Sequence, residues 1–168
     1  NSISTTELLA FTEGIALSNY QFLKYKSEKK ENSLQKVLVN DNEISEAELQ
    51  EINNVIRANE IAKNLGNKPV IALNSVQLGE NILEISRELN FKAEVLNKSQ
   101  IEALRMGGLL GVNFGSSVPP TFSILEYHPT TAKNKKPLIF VGKGVTYDTG
   151  GYSMKTAGSM SGMKMDMC

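Results

Sequence analysis

Four charged residues near the carboxyl-terminal end of the chain have the types that chemistry needs: Lys143, Asp148, Lys155 and Asp166. Aspartate carboxylates are hard oxygen donors suited to a divalent cation such as zinc, manganese or magnesium. A lysine donates a lone pair to a metal only when deprotonated, a change that an adjacent dication promotes. A lysine that keeps its charge can instead polarise a carbonyl or steady an oxyanion. Glycines at 142, 144, 150 and 151 punctuate the segment, as expected where the backbone must take positive φ or approach a ligand closely. Glycines with scattered charges also describe an ordinary solvated loop. Nucleotide binding is the weaker rival. Gly142-Lys143-Gly144 lacks the G-x-x-x-x-G-K-[ST] spacing of a phosphate loop, and no G-x-G-x-x-G is present in the segment.

The elements that must position these groups can be read upstream. Residues 137–141, Pro-Leu-Ile-Phe-Val, have the length and composition of a buried strand. Ligand-binding groups often sit where such a strand opens into a loop. Nearer the start, Ser4-x-x-Glu7 reads as a capping box. It opens an amphipathic helix of about twenty residues that carries Leu8, Phe11, Ile15 and Phe22 on one stripe. Residues 34–39 are a short strand candidate, ended by the turn-prone Asn40-Asp41-Asn42. Ser45-x-x-Glu48 opens a second helix that ends near Gly66, before Pro69. Asn74, with Gln77 three residues on, caps a third helix bearing Leu78, Ile82, Ile85 and Leu89.

Phe91, Ala93 and Val95 then alternate as a strand. Ser99-x-x-Glu102 begins a short helix, residues 109–112 form a brief buried strand, and residues 121–127 form another. Lys133-Asn134-Lys135-Lys136 makes a polar turn back into the run at 137–141. Helix and strand alternate, so the pattern predicts an α/β domain.

Composition narrows the function classes. The chain has 168 residues, 40% hydrophobic and 21% charged, which fits a globular protein. Eighteen basic residues balance eighteen acidic ones, so neither nucleic acid nor an anionic membrane is an expected partner. No apolar run reaches the length of a membrane span, and no secretory signal opens the sequence. Cys168 is the one cysteine and His128 the one histidine. Zinc-finger ligand sets and an H-E-x-x-H helix are therefore excluded within this chain, and any metal would rely largely on carboxylates. His128 reads as a loop or strand-end residue rather than a ligand, and Cys168 does not read as a nucleophile. Met154, Met160 and Met163 suit either core packing or an apolar pocket.

Several ordered stretches resemble the leucyl aminopeptidase family of two-metal cytosol exopeptidases. They are Val141-Gly-Lys-Gly-Val-Thr-Tyr-Asp-Thr-Gly-Gly151, Ser153-Met-Lys155, Met163-Lys-Met-Asp-Met167 and, upstream, Met106-Gly-Gly-Leu-Leu-Gly-Val112 and Pro119-Pro-Thr-Phe-Ser-Ile-Leu-Glu-Tyr127. The resemblance implies that Lys143, Asp148 and Asp166 are metal ligands and that Lys155 is a catalytic lysine acting on the scissile carbonyl. It implies two divalent metal ions, zinc or manganese with magnesium a further option, and peptide substrates with a free amino terminus. A homohexamer and a cytoplasmic location follow from the same likeness.

The fold it implies is the front half of a three-layer α/β/α catalytic domain, preceded by the terminal helix of an amino-terminal domain. Residues 1–42 would be the end of that first domain with its linker. Residues 43–168 would be the start of the catalytic domain, stopping before the family's second metal-ligand motif, Asp-x-Glu-Gly-Arg. Half a site suggests that the chain alone is inactive. Two departures, Val70-Ile71-Ala72 and Ser161-Gly162, keep open the alternative of a non-catalytic binding or scaffold relative.

Overall fold

The computed structural model describes residues 3–167, so Cys168 lies outside the described residues. The chain forms two compact units, Asn1–Asn67 and Lys68–Cys168. In the first, α1 (Thr5–Ser18) packs against α2 (Glu46–Asn67). The expected capping box starts α1: the Ser4 hydroxyl accepts from the Glu7 N–H, and the Glu7 carboxylate accepts from the Ser4 N–H at 2.9 Å. The same reciprocal pair, Ser45 with Glu48, starts α2.

At 14 residues α1 is shorter than its apolar stripe predicts. Asn19 ends it, because its side chain is drawn out to the following segment. Its amide donates to the Leu34 carbonyl at 3.0 Å, and its side-chain oxygen accepts from Asn32 at 3.0 Å. Phe22 therefore falls beyond the helix and packs on Tyr25 with ring centroids 5.7 Å apart. Phe11 is exposed, while Thr12 is buried and its hydroxyl donates to the Leu8 carbonyl. The strand expected over residues 34–39 is not formed: the segment has no regular structure and pairs with no described strand, and Leu38 is exposed. A lone strand leaves its backbone groups to water and has no ladder to hold it. Near the end of α2, the Tyr20 hydroxyl donates to Asn64 at 3.0 Å and accepts from Asn67 at 3.1 Å.

In the second unit, α3 (Ser75–Leu89) packs on a two-stranded antiparallel sheet of β1 (Lys92–Leu96) and β2 (Phe122–Glu126). Asn74 and Gln77 form the expected cap, and Asn90 ends the helix in the left-handed conformation at φ 54°. The register sets Ala93 opposite Leu125 and Val95 opposite Ser123. The Ser75 hydroxyl donates to the Pro119 carbonyl, and Thr121 donates to the Ser75 carbonyl. These two bonds lock the start of α3 to the approach to β2. Leu73, Leu96 and Ile101 are the buried apolar residues of this unit among those described.

Between the strands lie α4 (Lys98–Ala103) and α5 (Gly107–Asn113). The cap of α4 is Asn97 with Gln100, not Ser99 with Glu102, since the helix begins as soon as β1 ends. The run at 109–112 is helical rather than a strand. A short apolar run carries no period that separates the two states, and the Leu110 N–H closes a helical turn on the Met106 carbonyl at 3.1 Å.

Residues 137–141 also depart from the expected strand. They form no regular element and join no ladder, with Phe140 92% and Val141 94% exposed. An apolar run is buried on both faces only when strands flank it and helices cover it, and neither β1 nor β2 pairs with it. The chain exposes 13151 Å², against about 9,800 Å² for two separate folded domains of these lengths. Apolar surface that a closed domain would bury thus stays outside.

Candidate functional site

The candidate residues lie in the loop after this exposed run and in the turns that follow. The loop folds back on itself between Asp148 and Lys155. One Asp148 oxygen accepts from the Gly150 N–H at 2.8 Å, an Asx turn that the Asp-Thr-Gly order favours. Gly150 and Gly151 take φ of 80° and 78°, and Tyr152 and Ser153 follow at 50° and 57°. Four successive left-handed residues reverse the chain. The Lys155 N–H then closes the loop on the Thr149 carbonyl at 2.9 Å. A Cβ at Gly150 would meet Lys155 Cγ at 2.9 Å, so the lysine side chain lies directly across the glycine.

That placement brings the Lys155 ammonium to the second Asp148 oxygen at 2.9 Å. The same ammonium is 2.9 Å from the Met163 sulfur. Both partners of the pair are partly shielded, with 29% and 37% of their side chains exposed. The Gly150 N–H first, then Lys155, and finally the charge of Lys143 hold the Asp148 carboxyl below the ordinary carboxylate range.

The structure therefore joins Asp148 and Lys155 directly and sets Lys143 near enough for its charge to act. Lys143 itself is exposed. Asp166 is exposed in the turns after α6 (Ala157–Met160). Among the described residues, no three His, Cys, Asp or Glu side chains are grouped as a metal site would require. His128 lies 3.7 Å from Glu126, just past β2.

The chemistry of the donors suits a hard divalent cation, but their number and placement do not. Two carboxylates and an amine cannot fill two shells of about four or more donors each. Both oxygens of Asp148 are already engaged. By themselves the described residues do not fit a two-metal group.

Three participants in the loop are not marked as such by the sequence. Met163 was a pocket or core candidate, and nothing in its spacing marks it as a partner of the lysine. The left-handed Tyr152 and Ser153 have no signal at all, since the flanking glycines are the residues expected to take that conformation.

A mixed α/β chain whose carboxyl-terminal loop sets a lysine against an aspartate belongs with the α/β proteins that carry polar chemistry on a loop. Its family is specific: residues 60–168 match the catalytic domain of the cytosol aminopeptidase family, and the chain belongs to that family. It is 36% identical over 172 residues to a probable cytosol aminopeptidase of Phytoplasma mali (strain AT), covering 98% of this chain and 34% of that protein. A probable cytosol aminopeptidase of Aquifex aeolicus (strain VF5) is also 36% identical, over 94% of this chain and 32% of its own length.

Among solved structures, the bottromycin maturation enzyme BotP in complex with Mn superposes with a TM-score of 0.78 at 30% identity, covering 96% of this chain and 33% of that one. The cytosol aminopeptidase from Coxiella burnetii gives 0.73 at 25% identity, over 96% of this chain and 32% of that one. The chain spans about a third of the length of the relatives it matches. Among the described residues, no helix is long and apolar enough to cross a membrane.

Proposed function

We propose that the protein is a metal-dependent aminopeptidase that removes leucine-like residues from the amino termini of peptides. This chain supplies one part of the active site. The observation that carries the reading is the family match over residues 60–168, which contains all four candidate residues. Lys143, Asp148 and Asp166 are metal donors in this reading, alongside donors outside these residues, for two divalent ions of zinc, manganese or magnesium. The complex of BotP with Mn supports manganese among these choices.

Lys155 is the catalytic residue. Its ammonium, a donor with no acceptor capacity, faces the peptide carbonyl next to the free amine and stabilises the negative charge that develops on that oxygen. The Gly150–Lys155 loop holds the side chain short of free rotation, so that little ordering is left for the moment of reaction.

In the same reading residues 43–168 are the front half of a three-layer α/β/α catalytic domain, with 137–141 as an inner strand. Residues 1–42 close the preceding domain. The protein works in the cytoplasm as a homohexamer.

The test is hydrolysis of a leucyl anilide by the protein extended to the family's full length, with manganese supplied. Lys155→Ala is expected to lower kcat by about 10²–10³, the size of losing one oxyanion donor. Wild-type rates in Lys155→Ala or Asp148→Ala would overturn the assignment. A second reading, a binding or scaffold relative without turnover, draws support from the engaged oxygens of Asp148. It predicts no metal-dependent turnover at full length, and stoichiometric uptake of two metal ions there would count against it.

A further inference from the structure

A cavity of about 230 Å³ opens in the second unit, between α3, the end of β1, the start of α4 and the residues that lead into β2. None of Lys143, Asp148, Lys155 and Asp166 lines it. We infer that it binds a free apolar α-amino acid of about the size of leucine, with Glu80 receiving the ligand's ammonium group and Lys98 its carboxylate.

The walls set the size and polarity of the occupant. Val76 and Leu83 of α3, Val95 of β1 and Pro120 give them an apolar surface. The Ser75 hydroxyl donates to the Pro119 carbonyl at 2.6 Å, and the Thr121 hydroxyl donates to the Ser75 carbonyl at 2.9 Å, so the proline wall is tied to α3. A cavity held in this way needs little ordering when a ligand enters. Its volume lies below the roughly 300 Å³ at which sites for drug-sized ligands begin, so the occupant is small.

Charge narrows the choice further. Glu80 and Lys98 are the two charged residues of the lining. No described residue forms a hydrogen bond or ion pair with the Glu80 side chain. Lys98 stands 3.8 Å from Glu102, with both side chains more than half exposed. Such a pair contributes little and leaves the ammonium able to turn to a ligand. The neutral polar side chains of the lining are committed elsewhere: Asn97 accepts from the Gln100 N–H, and Thr121 donates to Ser75.

A fatty acid or a phosphate ester would bring negative charge against Glu80, and an apolar amine would bring positive charge against Lys98. A residue inside a peptide chain carries neither charge. A free apolar amino acid carries one charge of each sign beside the group that the walls accept, which is the complementary pattern. Aminopeptidase turnover releases the same class of molecule, though binding here requires no turnover.

The test is saturation-transfer NMR on the 168-residue chain, with leucine, N-acetylleucine and leucinamide titrated separately. N-acetylleucine lacks the ammonium group and leucinamide lacks the carboxylate. In wild type, leucine is expected to bind about fivefold more tightly than either analogue, the scale of one partly exposed ion pair. Glu80→Gln is expected to weaken leucine binding about fivefold without weakening N-acetylleucine. Lys98→Gln is expected to weaken leucine to the same extent without weakening leucinamide.

Equal binding of the three ligands by wild type would mean an apolar hollow that does not read the charges, and would overturn the amino-acid site. Leucine binding that neither variant weakens would place the ligand elsewhere on the chain and overturn it as well. No transfer to leucine at any concentration up to its solubility would do the same. The analogue comparison uses wild type alone, so it decides the matter even if a variant fails to fold.

Discussion

Gly79 in α3 lies so close to Val95 in β1 that a Cβ on the glycine would stand 2.8 Å from Val95 Cγ1. The absence of a side chain at this position lets helix and strand approach closely. Thr121 lies at ordinary contact distance, 3.7 Å, from the same point, so the strain of an added methyl falls on Val95. Gly79→Ala is expected to destabilise the second unit by about 1–3 kcal/mol through overpacking, despite alanine's better helix propensity. Gly111→Ala in α5, where nothing lies within 4 Å, is expected to stabilise by up to about 1 kcal/mol. Urea unfolding of both variants checks the opposite signs. A stabilising Gly79→Ala would mean that α3 and β1 are farther apart than described.

Acid should release the loop at 148–155. The folded Asp148 carboxyl lies below its ordinary value of 3.8 because it accepts from Gly150 and pairs with Lys155. A depressed folded pKa adds stability that is fully present above the unfolded value. That stability is lost as pH falls from near 3.8 through the folded pKa. The Gly150 amide resonance is expected to titrate with a midpoint below 3.8 in wild type and to move upward in Lys155→Met. A wild-type midpoint at or above 3.8 would contradict the hydrogen bonding at Asp148.

The exposed run at 137–141 should make the chain associate. Leu138, Ile139, Phe140 and Val141 are all exposed on a backbone without ladder partners, and an exposed apolar run with free backbone groups is prone to pair with another chain. Phe140→Glu is expected to lower self-association, read by sedimentation velocity over a concentration series. If wild type stays monomeric at high concentration, the run is covered in solution.

Local features were legible where a few neighbouring residues decide the outcome. The caps Ser4 with Glu7, Ser45 with Glu48, and Asn74 with Gln77 form as their spacing predicts, because each pairs a side chain with a backbone N–H three residues away. The alternation of Ala93 and Val95 marks β1 for the same reason: half-buried strands show a period of two. Short apolar runs failed as guides. Residues 109–112 became helix and residues 137–141 stayed unpaired, since such runs carry no period and their state is set by whatever lies beside them.

By itself the sequence determined the family and the residue types of the candidate site, because ordered stretches of Gly, Lys, Asp and Met survive as a linear pattern. It also determined the helix starts, which are local chemistry. Only the tertiary structure decided that Lys155 reaches Asp148 rather than solvent. That contact depends on four left-handed residues in succession, two of them Tyr152 and Ser153, and on a glycine at 150 whose missing side chain makes room for the lysine. Backbone reversals of this kind are set by the closing bonds of a whole loop, not by the preference of any one residue in it.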